Sequence, residues 1–175
     1  MFSKILLATD GSRHASNALD IAIDMALKYD SELTIVHVLT HDHPSEEMER
    51  MIEVEHLDHG FSPTHTAESV NRVASTLARR GLTRSGDQEA RIITVIGEQI
   101  LKAATRTAEK AGLRRLRTEI HAGDYANAIL DVASRNEVDI IIMGRRGLSR
   151  LQGFVTGSVS HKVSQRAACS VLTVK

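Results

Sequence analysis

The apolar run Ile140, Ile141, Ile142, Met143 ends abruptly at Gly144-Arg145-Arg146-Gly147, and nine residues separate Gly147 from the pair Gly157-Ser158. A buried strand that breaks into glycines, with Gly-Ser opening the next helix, is how an α/β protein brings backbone N–H groups close to a phosphate chain. Glycine has no Cβ and tolerates positive φ, so such a loop folds tightly and lets an anion approach the main chain. Ser158, Val159 and Ser160 then form the first helical turn, where unpaired N–H groups and the positive dipole end favour negative charge, with two hydroxyls as extra donors. Glycines after a strand are also ordinary turn punctuation. Charge tips the balance toward an anion site. From residue 140 onward there are four arginines (145, 146, 150, 166) and two lysines (162, 175) with no Asp or Glu, leaving 16 basic against 22 acidic residues before it.

The rest of the chain alternates between two periods. Residues 4–9 are a short apolar run closed by Asp10-Gly11-Ser12, a strand and a turn. Ala15, Ala18, Leu19, Ala22, Ile23, Ala26 and Leu27 make a helical stripe over residues 14–28. Residues 32–38 are rich in β-branched side chains and predict a second strand, and residues 116–121 another. Asp124 is the expected cap of a helix presenting Ala126, Ile129, Leu130 and Ala133. A strand over 139–143, a helix over 158–167 and a last strand over 170–174 complete the series. Strands alternating with helices imply parallel pairing with right-handed crossovers, hence an α/β doubly wound sheet with helices on both faces.

Ligands of such sheets bind beyond the carboxyl ends of the strands, where the strand order reverses. If the first strand and the 140–143 strand are neighbours there, Asp10-Gly11-Ser12 and the glycine loop face each other across one crevice. Asp10 is then available to a ribose hydroxyl, an adenine edge or a metal on the phosphates. As a turn former, it is equally a candidate to cap the following helix.

At 175 residues the chain is expected to be one domain, long enough to bury a sizeable core, with 42% hydrophobic residues placing it among globular proteins. Aromatics are only 3% and the net charge is zero, which argues against nucleic acid as a partner. Cys169 is the single cysteine and cannot form an internal disulfide. The apolar core at the start is too short for a signal peptide, and no segment approaches the roughly 20 apolar residues that span a bilayer. A cytoplasmic, soluble protein with no membrane association is expected.

At these residues the chain resembles the universal stress protein family. The resemblance covers residues 5–38, with Asp10-Gly11-Ser12 and Ala18-Leu19, and the stretch from about Gly97 onward. Its most specific part is a family pattern met here by Gly144, Gly147, Gly157 and Ser158: two glycines separated by two residues, then nine residues, then Gly-Ser or Gly-Thr. In the ATP-binding branch this loop holds the phosphates and ribose, the acidic residue lies at the nucleotide, and a valine ending the second strand meets adenine through its backbone. By resemblance these roles fall to Asp10 and Val38, with Ala8, Met143, Arg145, Val159 and Ser160 as neighbours in the same pocket. The resemblance also implies a five-stranded order 3-2-1-4-5, ATP, possible Mg, and a homodimer through the last strand, Ser170 to Val174. An unprotected apolar edge strand makes such pairing physically sensible.

The chain departs from the family where Ala8 and Ser170 stand in place of prolines found in many relatives. Neither position needs a side chain to bind phosphate. The larger departure is a helical insertion at about 41–87, with helix-like segments at Met48, Met51, Ile52 and at Val70, Val73, Ala74, Leu77. It is expected to serve as a lid or as the surface for an unknown protein partner. It holds His41, His43, His56, His59 and His65, which suit a metal if folded together. Its eight carboxylates against one arginine over 42–68 fit a solvated acidic face instead, so no metal site is assigned. Residues 92–96 fit a strand, and Ile92, Ile96, Ile100 and Ala104 fit one helix running to Gly112.

Three functions suit this pocket. The leading one is an ATP-binding stress-response module whose nucleotide occupancy alters its dimer or a partner, which requires different affinity for two states. The alternative is a slow ATPase or phosphoryl-transfer enzyme, for which Arg145, Arg146 and Asp10 are available but no dedicated base is evident. The third, an adenylating or pyrophosphatase-type enzyme, needs a Ser-Gly-Gly loop or a His-rich signature where this chain has Thr9-Asp10-Gly11-Ser12. The Walker pattern and the dinucleotide fingerprint are absent after the first strand.

Overall fold

The computed structural model describes residues 2–39, 86–147 and 157–175. Their elements are β1 (Lys4–Ala8), α1 (Arg13–Tyr29), β2 (Glu32–Leu39), α2 (Gly86–Lys110), β3 (Leu116–Ala122), α3 (Tyr125–Asn136), β4 (Ile140–Gly144), α4 (Ser158–Arg166) and β5 (Ser170–Val174). The strands form one parallel sheet of order β3-β2-β1-β4-β5, the α/β doubly wound arrangement expected. The order reverses between β1 and β4. Ala8 there pairs with Val36 on one side and Met143 on the other, so the chain leaves β1 and β4 at one level.

The central strands are apolar at nearly every position because both of their faces are covered. On one face Ile5, Leu7, Ile140 and Ile142 pack against Ala18, Leu19, Ala22, Ile23 and Ala26 of α1 and Leu101, Ala104 and Ala108 of α2. On the other, Leu6, Ala8, Val36, Val38, Ile141 and Met143 pack against Ala126, Ile129, Val132 and Ala133 of α3 and Val163 of α4. Each fully buried Ile or Leu contributes on the order of 1.5–3 kcal/mol of transfer free energy. Small alanines let both helices lie close to the sheet. The stripe on α1 is narrower than its sequence suggests. Leu27 is 46% exposed, because at 3.6 residues per turn it sits about 100° round the helix from Ala26.

Two ambiguities in the sequence are settled. Residues 92–96 are helical and belong to α2, whose Leu101, Ala104 and Ala108 recur at helical spacing on the core. Gly97 lies within it against β2, where an added Cβ would stand 2.6 Å from Leu39 Cδ2 and 2.8 Å from His37 Cδ2. The cap of α1 is Ser12, whose hydroxyl accepts from Ala15 N at 3.3 Å, not Asp10. Asp124 caps α3 as expected, accepting from Asn127 N at 2.9 Å. The insertion's Met48 and Val70 segments and its five histidines lie outside the described residues, and α2 already begins at Gly86. Among the described residues no helix is long and apolar enough to cross a membrane.

Candidate functional site

Beyond β1 the chain turns through Thr9, Asp10 and Gly11 into the first turn of α1. Gly11 has φ +80°, a left-handed conformation that a side chain would strain. The turn is fixed by two short-range bonds, Ser12 N to Asp10 Oδ1 at 3.0 Å and Gly11 N to Thr9 Oγ1 at 3.3 Å. Beneath it His37 is buried, its Nδ1 donating to Thr9 O at 2.8 Å, which ties β2 to the loop. Burial holds His37 below the ordinary histidine pKa against the opposing bond to Thr9 and the charge of Asp10, so the ring is neutral.

Beyond β4 the glycines are required by contact rather than by backbone angle. A Cβ on Gly144 would stand 3.0 Å from Ala15 N and from the His14 carbonyl carbon, so this glycine lets the loop press onto the first turn of α1. A Cβ on Gly147 would stand 2.5 Å from Asp10 Oδ2. The two loops therefore touch, with Gly147 against Asp10. Gly144, Gly147 and Gly157 are not among the residues with positive φ. The loop is also bonded into the sheet: Arg145 N donates to Val174 O at 2.6 Å, and Arg145 O accepts from Gly157 N at 3.0 Å.

Gly157 brings the chain to α4 without any side-chain cap. The N–H groups of Ser158, Val159 and Ser160 have no hydrogen-bond partner among the described residues, and the first bond of the helix runs from His161 N to Gly157 O at 3.0 Å. Three donors and the positive end of the helix dipole thus open beside the glycine loop. Ser160 contributes differently from expectation. Its hydroxyl is 2% exposed and donates inward to Arg145 O at 2.7 Å, with Gly157 O at 3.0 Å, so only its N–H faces a ligand. The exposed hydroxyl of Ser158 is the remaining side-chain donor.

The surrounding charge is positive. Partial burial, then Arg13, Arg145 and Arg146, push His14 below the ordinary histidine pKa, with Asp10 opposing. Nδ1 of His14 and Nε of Arg145 are buried without a partner among the described residues. Such a cluster raises the local concentration of anions. The expected lining residues also converge. Ala8, Val38 and Met143 are 8%, 6% and 5% exposed and belong to one packed cluster, on the face covered by α3 and α4. Ala8 is the last residue of β1, and Val38 and Met143 are the last but one of β2 and β4, on the side of the sheet where α4 begins.

One group at this end of the sheet has no signal in the sequence. Val38 pairs with His121 of β3, whose Nε2 lies 2.7 Å from Glu119 Oε2, and Glu119 Oε1 accepts from Asn136 Nδ2 of α3 at 2.9 Å. Only the pairing of β2 with β3 and the packing of α3 reveal it.

The universal stress protein family matches residues 1–175, and the chain belongs to that family. It is 31% identical over 176 residues to Universal stress protein YxiE of Bacillus subtilis, covering 100% of both chains. Among solved structures it is similar to universal stress protein UspA from Lactobacillus plantarum, with TM-score 0.67 and 20% identity over 99% of this chain and 98% of that one. It is similar also to a universal stress protein in complex with cAMP (TM-score 0.58, 20% identity, 99% and 97% covered). A universal stress protein family protein from Arabidopsis thaliana with AMP bound shares the fold as well (TM-score 0.56, 17% identity, 99% and 91% covered).

Proposed function

We propose that this universal stress protein binds an adenine nucleotide in the crevice between β1 and β4, with ATP and Mg²⁺ as the leading ligand. The observation that carries the reading is the start of α4, which follows Gly157 without a side-chain cap and where the N–H groups of Ser158, Val159 and Ser160 have no partner among the described residues, next to a glycine loop in contact with Asp10. Phosphates would sit on those amides and on the main chain at Gly147, with Arg145 adding charge. The base would lie over Ala8, Val38 and Met143. From β4 to β3 is three strand spacings, about 14 Å, which suits a nucleotide laid across the sheet from phosphate to base. Asp10 would hold Mg²⁺ together with phosphate oxygens, the usual arrangement for that ion. The similar proteins with AMP and cAMP support an adenylate ligand.

The role that follows is regulatory: occupancy shifts the protein between states with different affinity for a second copy or a partner. β5 is an edge strand with Val171 and Leu172 partly exposed, and it is the proposed dimer seam. The insertion at about 41–87 is the proposed surface for a protein partner. Asp10 Oδ1 is held by Ser12 N and His37 Nδ1 by Thr9 O. Mass spectrometry of nucleotide released from freshly purified protein, followed by calorimetric titration with ATP, tests the reading. Stoichiometric adenylate and phosphate release slower than about 1 per second support it. No adenylate and no heat of binding reject it; turnover at ordinary enzyme rates favours phosphoryl transfer instead.

A further inference from the structure

We infer that His37 and Ile100 are positioning residues for a divalent cation on the nucleotide phosphates: together they hold the turn that aims Asp10, and both are placed by α2. The inference rests on the adenine-nucleotide reading and adds what fixes its cation. Thr9 N continues the ladder of β1 with β2, donating to Val36 O at 3.0 Å. Thr9 O instead accepts from a side chain, His37 Nδ1 at 2.8 Å. A carbonyl only accepts, so Nδ1 carries the hydrogen, and the carbonyl just before Asp10 is pinned to a buried ring. Behind that ring stands α2, where a Cβ on Gly97 would lie 2.8 Å from His37 Cδ2, so glycine lets the helix press on the histidine. Three residues further on, the same face of α2 presents Ile100. A Cβ on Gly11 would stand 3.2 Å from its Cγ1 and 3.3 Å from its Cδ1, so the isoleucine covers the turn from outside.

The carboxylate moves with the turn. Asp10 Oδ1 accepts from Ser12 N at 3.0 Å, within the same four residues, and Oδ2 is turned toward Gly147. Any shift of Thr9 or Gly11 therefore re-aims the oxygens offered to a cation. Magnesium is intolerant of that, because it demands near-octahedral oxygens at about 2.0–2.1 Å. Phosphate on the amides of Ser158, Val159 and Ser160 is held by α4, which lies on the other face of the sheet from α2. Loosening the grip of α2 on the turn should then cost the metal-dependent part of ATP affinity and spare the rest.

Calorimetric titration of the full chain with ATP, in Mg²⁺ and in chelator, tests the assignment. The intact protein binds more tightly in Mg²⁺. His37→Leu lowers the affinity in Mg²⁺ by about tenfold, the net size of one hydrogen bond, and leaves that in chelator within about twofold. His37→Asn keeps an amide N–H as many bonds from Cβ as Nδ1 and restores most of the loss. Ile100→Ala, at a partly exposed position, gives the same metal-dependent loss without touching a hydrogen bond and serves alone if His37→Leu does not fold. In an Asp10→Asn background neither change costs anything further, since residues acting through one group are not additive. Equal losses with and without Mg²⁺, or losses that add to that of Asp10→Asn, overturn the assignment while the nucleotide site stands. ATP affinity in the intact protein that ignores Mg²⁺ overturns it in the same way. If the intact protein binds no ATP, this inference falls together with the proposed function.

Discussion

Three helices begin after a described cap residue, and they treat their first turn in two opposite ways. Ser12 closes α1 through Ala15 N and Asp124 closes α3 through Asn127 N, whereas α4 follows Gly157, which has no side chain to offer. A side-chain cap replaced by alanine costs about 0.5–2 kcal/mol, but glycine at the same place costs only a few tenths, because water reaches the bare amides. Leaving α4 open is therefore cheap in stability, and it exposes donors that the other two helices have already satisfied. The same structural element serves folding at α1 and α3 and is proposed to serve a ligand at α4.

The largest way to break that contrast is Gly147→Val. Its Cβ would stand 2.5 Å from Asp10 Oδ2, so the Asp10 carboxylate or the loop must shift, and the branched side chain would stand between the main chain and a phosphate. ATP binding is expected to fall more than about 100-fold, beyond calorimetric detection, with the circular dichroism of the fold retained. Gly157→Asp comes next and converts α4 into a helix of the α1 kind. Gly157 has φ −68° and ψ 151°, an extended conformation that Asp adopts; its Cβ would stand 3.2 Å from Arg145 O, so the loop must give by a few tenths of an ångström, and the new carboxylate would cap the amides with a charge that repels phosphate. Stability should change by less than about 1 kcal/mol while ATP affinity drops by at least about 30-fold; a stabilised protein that still binds would separate α4 from the ligand.

Ser12→Ala is the mirror experiment. It should lower unfolding free energy by about 1 kcal/mol in denaturant titrations and leave ATP affinity within about twofold. A large loss of affinity would mean that α1 also serves the ligand. The smallest effect is one of pH. Burial keeps His37 below its ordinary 6.5, so the unfolded chain takes up a proton that the folded chain refuses. That contribution to stability is complete above about pH 6.5 and declines as pH falls below it. The thermal midpoint should thus be lower at about pH 5.5 than at about pH 7.5, and His37→Gln should flatten the difference.

The strands and the glycine spacing were readable because they are local: the 140–143 run, the stripe on α1 and the Asp124 cap each declare themselves within a few residues. Other features depend on partners far along the chain. The helical stripe could not show that Leu27 lies off its edge, nor could residues 92–96 choose between strand and helix until Leu101 and Ala104 met the core. The glycine pattern was visible, but its cause was not. Gly147 is needed for its contact with Asp10, 137 residues away, and not for a left-handed backbone. Ser160 looked like a second phosphate donor until Arg145 O took its hydroxyl. Glu119, His121 and Asn136 carry no motif at all, and only the alignment of β2 with β3 beneath α3 brings them together.

The account turns on whether the amides at the start of α4 receive the phosphates. Two-dimensional amide NMR of ¹⁵N-labelled protein, titrated with ATP and Mg²⁺, addresses them one by one. Large shifts are predicted at Ser158, Val159, Ser160 and Gly147, with Ala126 and Asn127 at the capped start of α3 close to unmoved. Saturable ATP binding that leaves residues 158–160 in place, or moves the first turn of α3 as far, would contradict it.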